Sequence, residues 1–554
     1  MSSDRLSRLP PKAVRAFVAF EGGGAKGLVH VGALKAMEAR GIEICGSAGT
    51  SAGALVAGLV AAGYRADELF NPDTGQSIVT TLCFDDATDL LGRDGWSAIN
   101  RCRKWSTVIR SRKAWLFLAA VTLIINLGVF WLLDHIGLLA KAMVATGEIV
   151  VVGAIVWWLV IKAHRGLATL DHFIRAYDLA LRLKLGLPPG RRITFFDLQE
   201  RGGCSLKVIS ANLATRRMVV YGTGLTPNVS VAEAVAASAC IPGVFVPVTV
   251  EGSIPADAPH YDGGLVSNLP AWVFDEERVI DPGAVTIALE IADTPTNAVR
   301  PSKTSEWLAA LVRTAVFGGS ALNTRGMDRL HTFRLTTDVD VLDFDVSMDA
   351  AKGVVRDGAA YAEASVALEL FDTRELFESA CETVRDRVLN GIQRLSVEAG
   401  GEGVPDQVRV MLIVPAGPSS RLARLAYGTD LRDGSEEDLI LPMEGSLAGA
   451  AFKERQAIFD AKPFTPSYDL QGTANAHRRA RVWSHVTWRV AIPIFTKQVD
   501  VEHCPDMVLA IDGDGDKNYA IAVVDEAFMV AAAELITTAA NVVAARRAEL
   551  EGGQ

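Results

Sequence analysis

Three short segments hold residues whose types and spacing could do chemistry. The first, Glu21-Gly22-Gly23-Gly24-Ala25-Lys26-Gly27, follows the apolar run Val14 to Phe20 and precedes a helical pattern from Leu28. Glycines at a strand-to-helix turn let backbone N–H groups point at an anion, so this loop could cradle a phosphate or an oxyanion. It has neither the Lys-Ser/Thr ending of a P-loop nor a G-x-G-x-x-G spacing, and alone it leaves both readings open. The second segment, Gly49-Thr50-Ser51-Ala52-Gly53, is G-x-S-x-G between the strand-like Ile42 to Ser47 and the apolar, helix-like Ala54 to Ala62. That is the context of a nucleophile elbow, in which glycines permit a tight turn that exposes a serine hydroxyl. The third is His260-Tyr261-Asp262-Gly263-Gly264. Asp262 is the strongest candidate for the base that Ser51 needs, although Asp-Gly-Gly is also an ordinary turn. His30 and His260 are rival bases. His30 sits in the apolar stretch LVHVGAL, where a satisfied core histidine is the commoner finding, and His260 stands two residues before Asp262.

The elements that must position these groups are two buried strands, each ending in a glycine-rich loop and then a helix. Adjacent parallel strands would bring both loops to one crevice at their carboxyl ends. There the first loop could donate hydrogen bonds to the anion formed when Ser51 attacks an ester.

Taken together, the motifs resemble the patatin-like phospholipase family, bacterial type. Gly22 to Gly27 is similar to that family's oxyanion loop, Gly49 to Gly53 to its nucleophile elbow, and Asp262-Gly263-Gly264 to its aspartate motif, in the family's order. Ala236-Ala237-Ser238-Ala239-Cys240-Ile241-Pro242-Gly243-Val244-Phe245 is similar to the segment those enzymes place before the aspartate. The resemblance spans roughly residues 14 to 372. It implies a three-layer α/β/α hydrolase with a Ser51–Asp262 dyad that needs no histidine, cofactor or metal, acting on fatty acyl esters of glycerophospholipids. Glu21 stands where the family often has Asp, a change expected to be tolerated because the donors are backbone groups.

The hydrolase region is interrupted by two apolar stretches. Ala114 to Leu133 is free of charge and long enough, at ~1.5 Å per residue, to span the ~30 Å hydrocarbon core. A second span over residues 142–161 has thirteen clean residues, Ile149 to Ile161, and places Glu148 within the apolar region or close to its outer edge. Residues 101–113 hold six Lys or Arg and no acid, and Lys162, His164 and Arg165 follow the second stretch. Positive-inside reasoning therefore puts both flanks in the cytosol, giving a hairpin over 114–161 in the inner membrane with both termini cytoplasmic. Chemistry demands the same even number, since a single crossing would strand Ser51 and Asp262 on opposite sides of the bilayer. Residues 1–13 are polar, without the apolar run of a secretory signal.

The chain has 554 residues, 49% apolar and 22% charged, a balance that excludes intrinsic disorder. Its 55 basic against 65 acidic residues, a net charge of -10, argue against a nucleic-acid binder. The seven cysteines show no C-x-x-C spacing and read as reduced, buried thiols.

After residue 372 the pattern changes. Phe377, Cys381, Val384, Val388, Ile392 and Leu395 mark an amphipathic helix that should end before SVEAGGEGVPD, residues 396–406. Val408 to Val414, Val486 to Ile494 and Met507 to Ile511 read as strands, with Pro493 favouring an edge or a bulge, and Asp525 to Arg547 as a long helix. This order, with Val490-Ala491-Ile492-Pro493-Ile494 as its most telling strand, resembles a GAF domain over residues 373–550. The resemblance implies homodimerisation or sensing of a small-molecule effector; a purely structural appendage fits equally well. Asp512-Gly513-Asp514-Gly515-Asp516 fails the EF-hand spacing at Lys517 and Val523 and reads as a solvated turn. The leading expectation is a membrane-anchored phospholipase A. A lysophospholipase, neutral-lipid lipase or thioesterase would use the same dyad, and a non-catalytic lipid-binding sensor would not need the intact nucleophile.

Overall fold

The computed structural model describes residues 14–82, 84, 89–110, 124, 154, 157, 166–252, 255, 257–281, 283–292, 323, 324, 327, 329–341, 343–401, 407–416, 421–429, 440–472, 475–479, 485–496 and 505–552. They fall into two compact units, the first ending at Ala362 and the second running from Glu363, with residues 276–284 and 326–329 grouped with the second. The expected membrane hairpin lies outside the described residues except for Ile124, Ala154 and Trp157.

The first unit is built on one sheet. Strands β1 (Arg15–Phe20) and β2 (Glu43–Gly49) are parallel neighbours, with Phe20 opposite Gly49. Strand β3 (Ser205–Asn212) adds to β2 in parallel, β4 (Arg217–Gly222) closes a hairpin on β3, and the short β5 (His260–Asp262) runs antiparallel to β3. On the far side, β6 (Val285–Ala292) and β7 (Leu330–Thr336) continue the parallel set, giving the order β4-β3-β2-β1-β6-β7. Burial is unbroken from Ala16 to Phe20 and from Thr286 to Leu289, so both faces of the central strands are covered, as a parallel sheet requires. Helix α1 (Val29–Ala39) follows β1, and α2 (Ala52–Ala61), apolar almost all round, packs on β1, β2 and β3.

The second unit is a six-stranded antiparallel sheet: β8 (Val408–Pro415), β9 (Leu422–Gly428), β10 (Ile440–Pro442), β11 (Ile458–Ala461), β12 (Trp488–Ile494) and β13 (Met507–Gly513), in the order β10-β9-β8-β13-β12-β11. Alternate residues Val408, Val410, Leu412, Trp488, Val490, Ile492, Leu509 and Ile511 share a core with the helices Thr373–Glu398 and Glu526–Gly552. The opposite face packs Ile413, Ala491 and Val508 against the helix Leu447–Glu454. On that same opposite face, one register row reads Asp460, Arg489, Asp512, Arg409 across four strands. Arg409 donates to both Asp512 oxygens at 2.9 and 2.6 Å, and Arg489 donates to Asp460 at 2.9 and 2.7 Å. Burial pushes the Asp512 carboxyl above its ordinary value, against the pull of Arg409.

Two local expectations change. The helix from Thr373 continues to Glu398, taking in Ser396 and Val397, because glycine stops it only at Gly400, where φ is +82°. Strand β12 is interior in the sheet, yet β11 pairs only as far as Ala491, so Pro493 lacks a β11 partner and loses no ladder bond there. Among the described residues one helix, Glu526–Leu550, is long and apolar enough to cross a membrane by length and composition; its Ala532, Ile536, Ala539 and Val543 line the core just described.

Candidate active site

Ser51 stands between β2 and α2 with φ 53° and ψ −124°. This is a region a residue with a Cβ rarely occupies, at a cost of about 1–3 kcal/mol, and it persists only where the surroundings enforce it. The glycines enforce it by allowing backbone to approach backbone: a Cβ on Gly53 would lie 2.2 Å from the Phe20 carbonyl oxygen. The Ser51 N–H donates to Ser238 Oγ at 2.9 Å, and Ser238, at the end of the helix Val231–Ser238, is fully buried. In the sequence Ser238 lies within the segment similar to the one the family places before its aspartate, and nothing in its spacing marks it as a partner of residue 51.

Asp262 ends β5, opposite Ser210 of β3, and its own N–H donates to the Cys240 carbonyl at 2.9 Å. Its carboxylate accepts the Gly264 N–H at 2.8 Å, and the Ser51 hydroxyl is near enough to favour its charged form. Burial pushes this carboxyl up to about 6, while the Gly264 N–H and the nearby Ser51 hydroxyl pull the other way. At neutral pH it is therefore ionised and still basic enough to take a proton. Gly263 has to be glycine, because a Cβ there would meet the Ile209 carbonyl oxygen at 2.3 Å and Thr50 Cγ2 at 2.9 Å.

The glycine loop lies beside the nucleophile. A Cβ on Gly22 would fall 3.1 Å from Ser51 Cβ, and one on Gly27 would fall 2.8 Å from Ala52 Cβ. Gly22, Ala25 and Lys26 spend their N–H groups on the carbonyls of Asn268, Val341 and Gly23. Among the described residues, that leaves the N–H groups of Gly23, Gly24 and Ala52 as donors for an anion beside Ser51. Gly24 adopts φ +57°, the left-handed region that favours glycine. The expected loop and elbow residues, Gly22 to Gly27 and Gly49 to Gly53, are thus brought to one place with Asp262, Gly263 and Gly264.

The rival histidines are engaged elsewhere. His30 Nε2 donates to the Glu21 carbonyl at 2.9 Å, its ring meets Phe20 edge-on, and burial lowers its pKa to about 4. His260 Nε2 accepts from Asn212 at 3.2 Å, and burial lowers its pKa as well. Among the described residues no cluster of three or more His, Cys, Asp or Glu side chains could hold a metal ion.

Residues 18–275 match the family model described as patatin-like phospholipase, a stretch containing all three motifs. The chain therefore carries a patatin-like phospholipase domain and is, through it, a carboxylic ester hydrolase acting on lipid acyl esters. It is 27% identical over 287 residues to the uncharacterized protein YqhO of Bacillus subtilis, covering 51% of this chain and 74% of that one. It is also similar to VipD from Legionella pneumophila, with 16% identity, 71% and 78% of the two chains covered and a TM-score of 0.32. A GAF domain/HD domain protein from Geobacter sulfurreducens aligns with 31% of this chain and 97% of its own at 14% identity and a TM-score of 0.18.

Proposed function

We propose that this protein is a membrane-anchored phospholipase A working through a Ser51–Asp262 dyad. The observation that carries the reading is the strained Ser51 at the turn beside a buried Asp262 carboxyl raised to about 6, with the N–H groups of Gly23, Gly24 and Ala52 unspent. Asp262 takes the hydroxyl proton as Ser51 Oγ bonds to the acyl carbon, and the loop donors stabilise the resulting oxyanion. Collapse expels the lysophospholipid alkoxide, which receives the proton from Asp262 and leaves an acyl-Ser51 ester. Water then loses a proton to Asp262 as it attacks, and Ser51 regains that proton as the fatty acid departs.

The hairpin over residues 114–161 would hold this site at the headgroup boundary of the cytoplasmic leaflet, where the scissile esters lie. Its charge-free composition and basic flanks support it, as do the helical Ile124 and Trp157, which are 66% and 68% exposed despite being large and apolar. The C-terminal unit, an antiparallel sheet between helices in the order expected of a GAF domain, would serve as a sensory or dimerising module. The test is fatty-acid release from glycerophospholipid vesicles by the full-length protein, with Ser51→Ala and Asp262→Ala in parallel and products identified by mass spectrometry. Loss of release in both variants is expected. Equal release by wild type and Ser51→Ala would overturn the dyad, and a wild type inactive on every acyl ester would leave the lipid-binding scaffold.

A further inference from the structure

The dyad and the oxyanion loop come from three separate segments, and two residues outside all three motifs touch every one of them. Ser267 N–H donates to the Gly263 carbonyl at 2.9 Å, closing the turn that carries Asp262. The Ser267 carbonyl accepts from Thr50 Oγ1 at 2.8 Å, which fixes the elbow. The Asn268 carbonyl accepts the Gly22 N–H at 3.1 Å, and its Nδ2 donates to the Gly22 carbonyl at 3.1 Å and to Glu21 Oε1 at 3.0 Å. Glu21 Oε2 in turn accepts the Ile291 N–H at 2.6 Å. The amide orientation is fixed by chemistry, because both groups facing Nδ2 are pure acceptors.

We infer that Asn268 is a positioning residue for the proposed hydrolysis: its side-chain amide sets the oxyanion loop at the correct distance from Ser51. The inference rests on the dyad reading. Asn268 is 4% exposed and Glu21 2%, so these bonds are shielded from water and their loss is not made up by solvent. Gly22 and Asn268 exchange hydrogen bonds in both directions, so the loop backbone cannot slide relative to residue 268 without breaking both. A Cβ on Gly22 would fall 2.5 Å from Asn268 Oδ1, leaving no slack on the other side. The donors of Gly23 and Gly24 follow directly in the chain, and a displacement of a fraction of an ångström at such donors is felt in the transition state rather than in substrate binding. The same contacts explain how Glu21 is used: its carboxylate joins the end of β1 to Asn268 and to β6, while its carbonyl is held by His30.

The test uses the full-length protein with Asn268→Ala, the nearly isosteric Asn268→Asp, which replaces the donor by an acceptor, and Thr50→Val, which removes the second arm. Turnover of a water-soluble short-chain ester is measured per active site, titrated with a fluorophosphonate. Hydrogen exchange of the peptide covering residues 20–28 is followed in the same samples. The Asn268 variants should lose about 10- to 100-fold in kcat with KM unchanged within about threefold, keep the acid limb of the wild-type pH profile, and exchange faster in the loop. Folded Asn268 variants with wild-type kcat, or with a raised KM and unchanged kcat, would overturn the inference, as would loop exchange equal to wild type. If wild type itself neither reacts with the fluorophosphonate nor hydrolyses the ester, the dyad reading fails, and the exchange measurement still decides whether Asn268 holds the loop. Should neither Asn268 variant fold, Glu21→Gln, which puts a donor in place of one of the two acceptors that Glu21 offers to Asn268 and Ile291, carries the same kcat-against-KM test.

Discussion

At the residue scale, the decisive quantity is the proton affinity of Asp262. Its carboxyl sits near 4 in an unfolded chain and at about 6 in the folded protein, so kcat/KM should rise with pH through about 6 and level off above 7. The same shift acts on stability with a definite sign. Between about pH 4 and 6 the folded state binds a proton that the unfolded state has released, so stability falls as pH rises through that window, and the full penalty remains above it. A shift of about two units corresponds to roughly 3 kcal/mol. Asp262→Asn should therefore abolish turnover yet raise the thermal midpoint at pH 8, with the gain gone by pH 4; a midpoint equal to wild type at pH 8 would mean the carboxylate is not penalised. Ser238→Ala removes the acceptor of the Ser51 N–H in a fully buried setting. It should destabilise the protein by about 1–3 kcal/mol and lower kcat by roughly tenfold, read from melts and ester turnover.

At the element scale, strand ends do the positioning. The sequence placed a glycine-rich loop after each of two buried strands, and β1 and β2 pair in parallel so that Phe20 and Gly49 finish level. Strand β5 was not legible. It is three residues long and exists only because it pairs with β3, so no local pattern could announce it. In the second unit the same holds for the charged row. In the sequence Arg409 and Arg489 look like ordinary surface residues of strands, Asp512 reads as part of a solvated turn and Asp460 lies outside any expected strand; β13 instead runs through Asp512, which is buried, and only register aligns the four. Arg409→Met alone should cost about 3–5 kcal/mol by leaving Asp512 buried and unpaired, and Arg409→Met with Asp512→Leu should recover most of it. Urea denaturation of both variants measures the difference; equal losses would show that the pair is not coupled.

At the scale of the whole molecule, the proposed anchoring makes a separable prediction. The full-length protein should remain with membranes after carbonate washing, and removing residues 114–161 should release it while Ser51 still reacts with a fluorophosphonate. Retention of the shortened chain in the membrane would place the anchor elsewhere, with the apolar helix Glu526–Leu550 the next segment to remove. If the C-terminal unit restrains or promotes turnover, ending the chain at residue 372 should change basal activity in the corresponding direction; an unchanged rate would dissociate the two functions.

The sequence by itself determined what is written in contiguous residues: the nucleophile elbow, the glycine loop, the Asp-Gly-Gly turn and the family to which their order points. These are legible because steric limits on tight turns force glycine at fixed offsets from Ser51 and Asp262. Tertiary structure alone decided which atoms of those motifs are already spent. Gly22, Ala25 and Lys26 donate their N–H groups to Asn268, Val341 and Gly23, so the proposed oxyanion donors are Gly23, Gly24 and Ala52. Burial, not any neighbouring charge, raises Asp262, and Ser238 and Asn268 reach the site from 187 and 246 residues away in the chain. Burial and hydrogen-bond partnership are properties of what surrounds an atom in space, and no spacing along the chain encodes them.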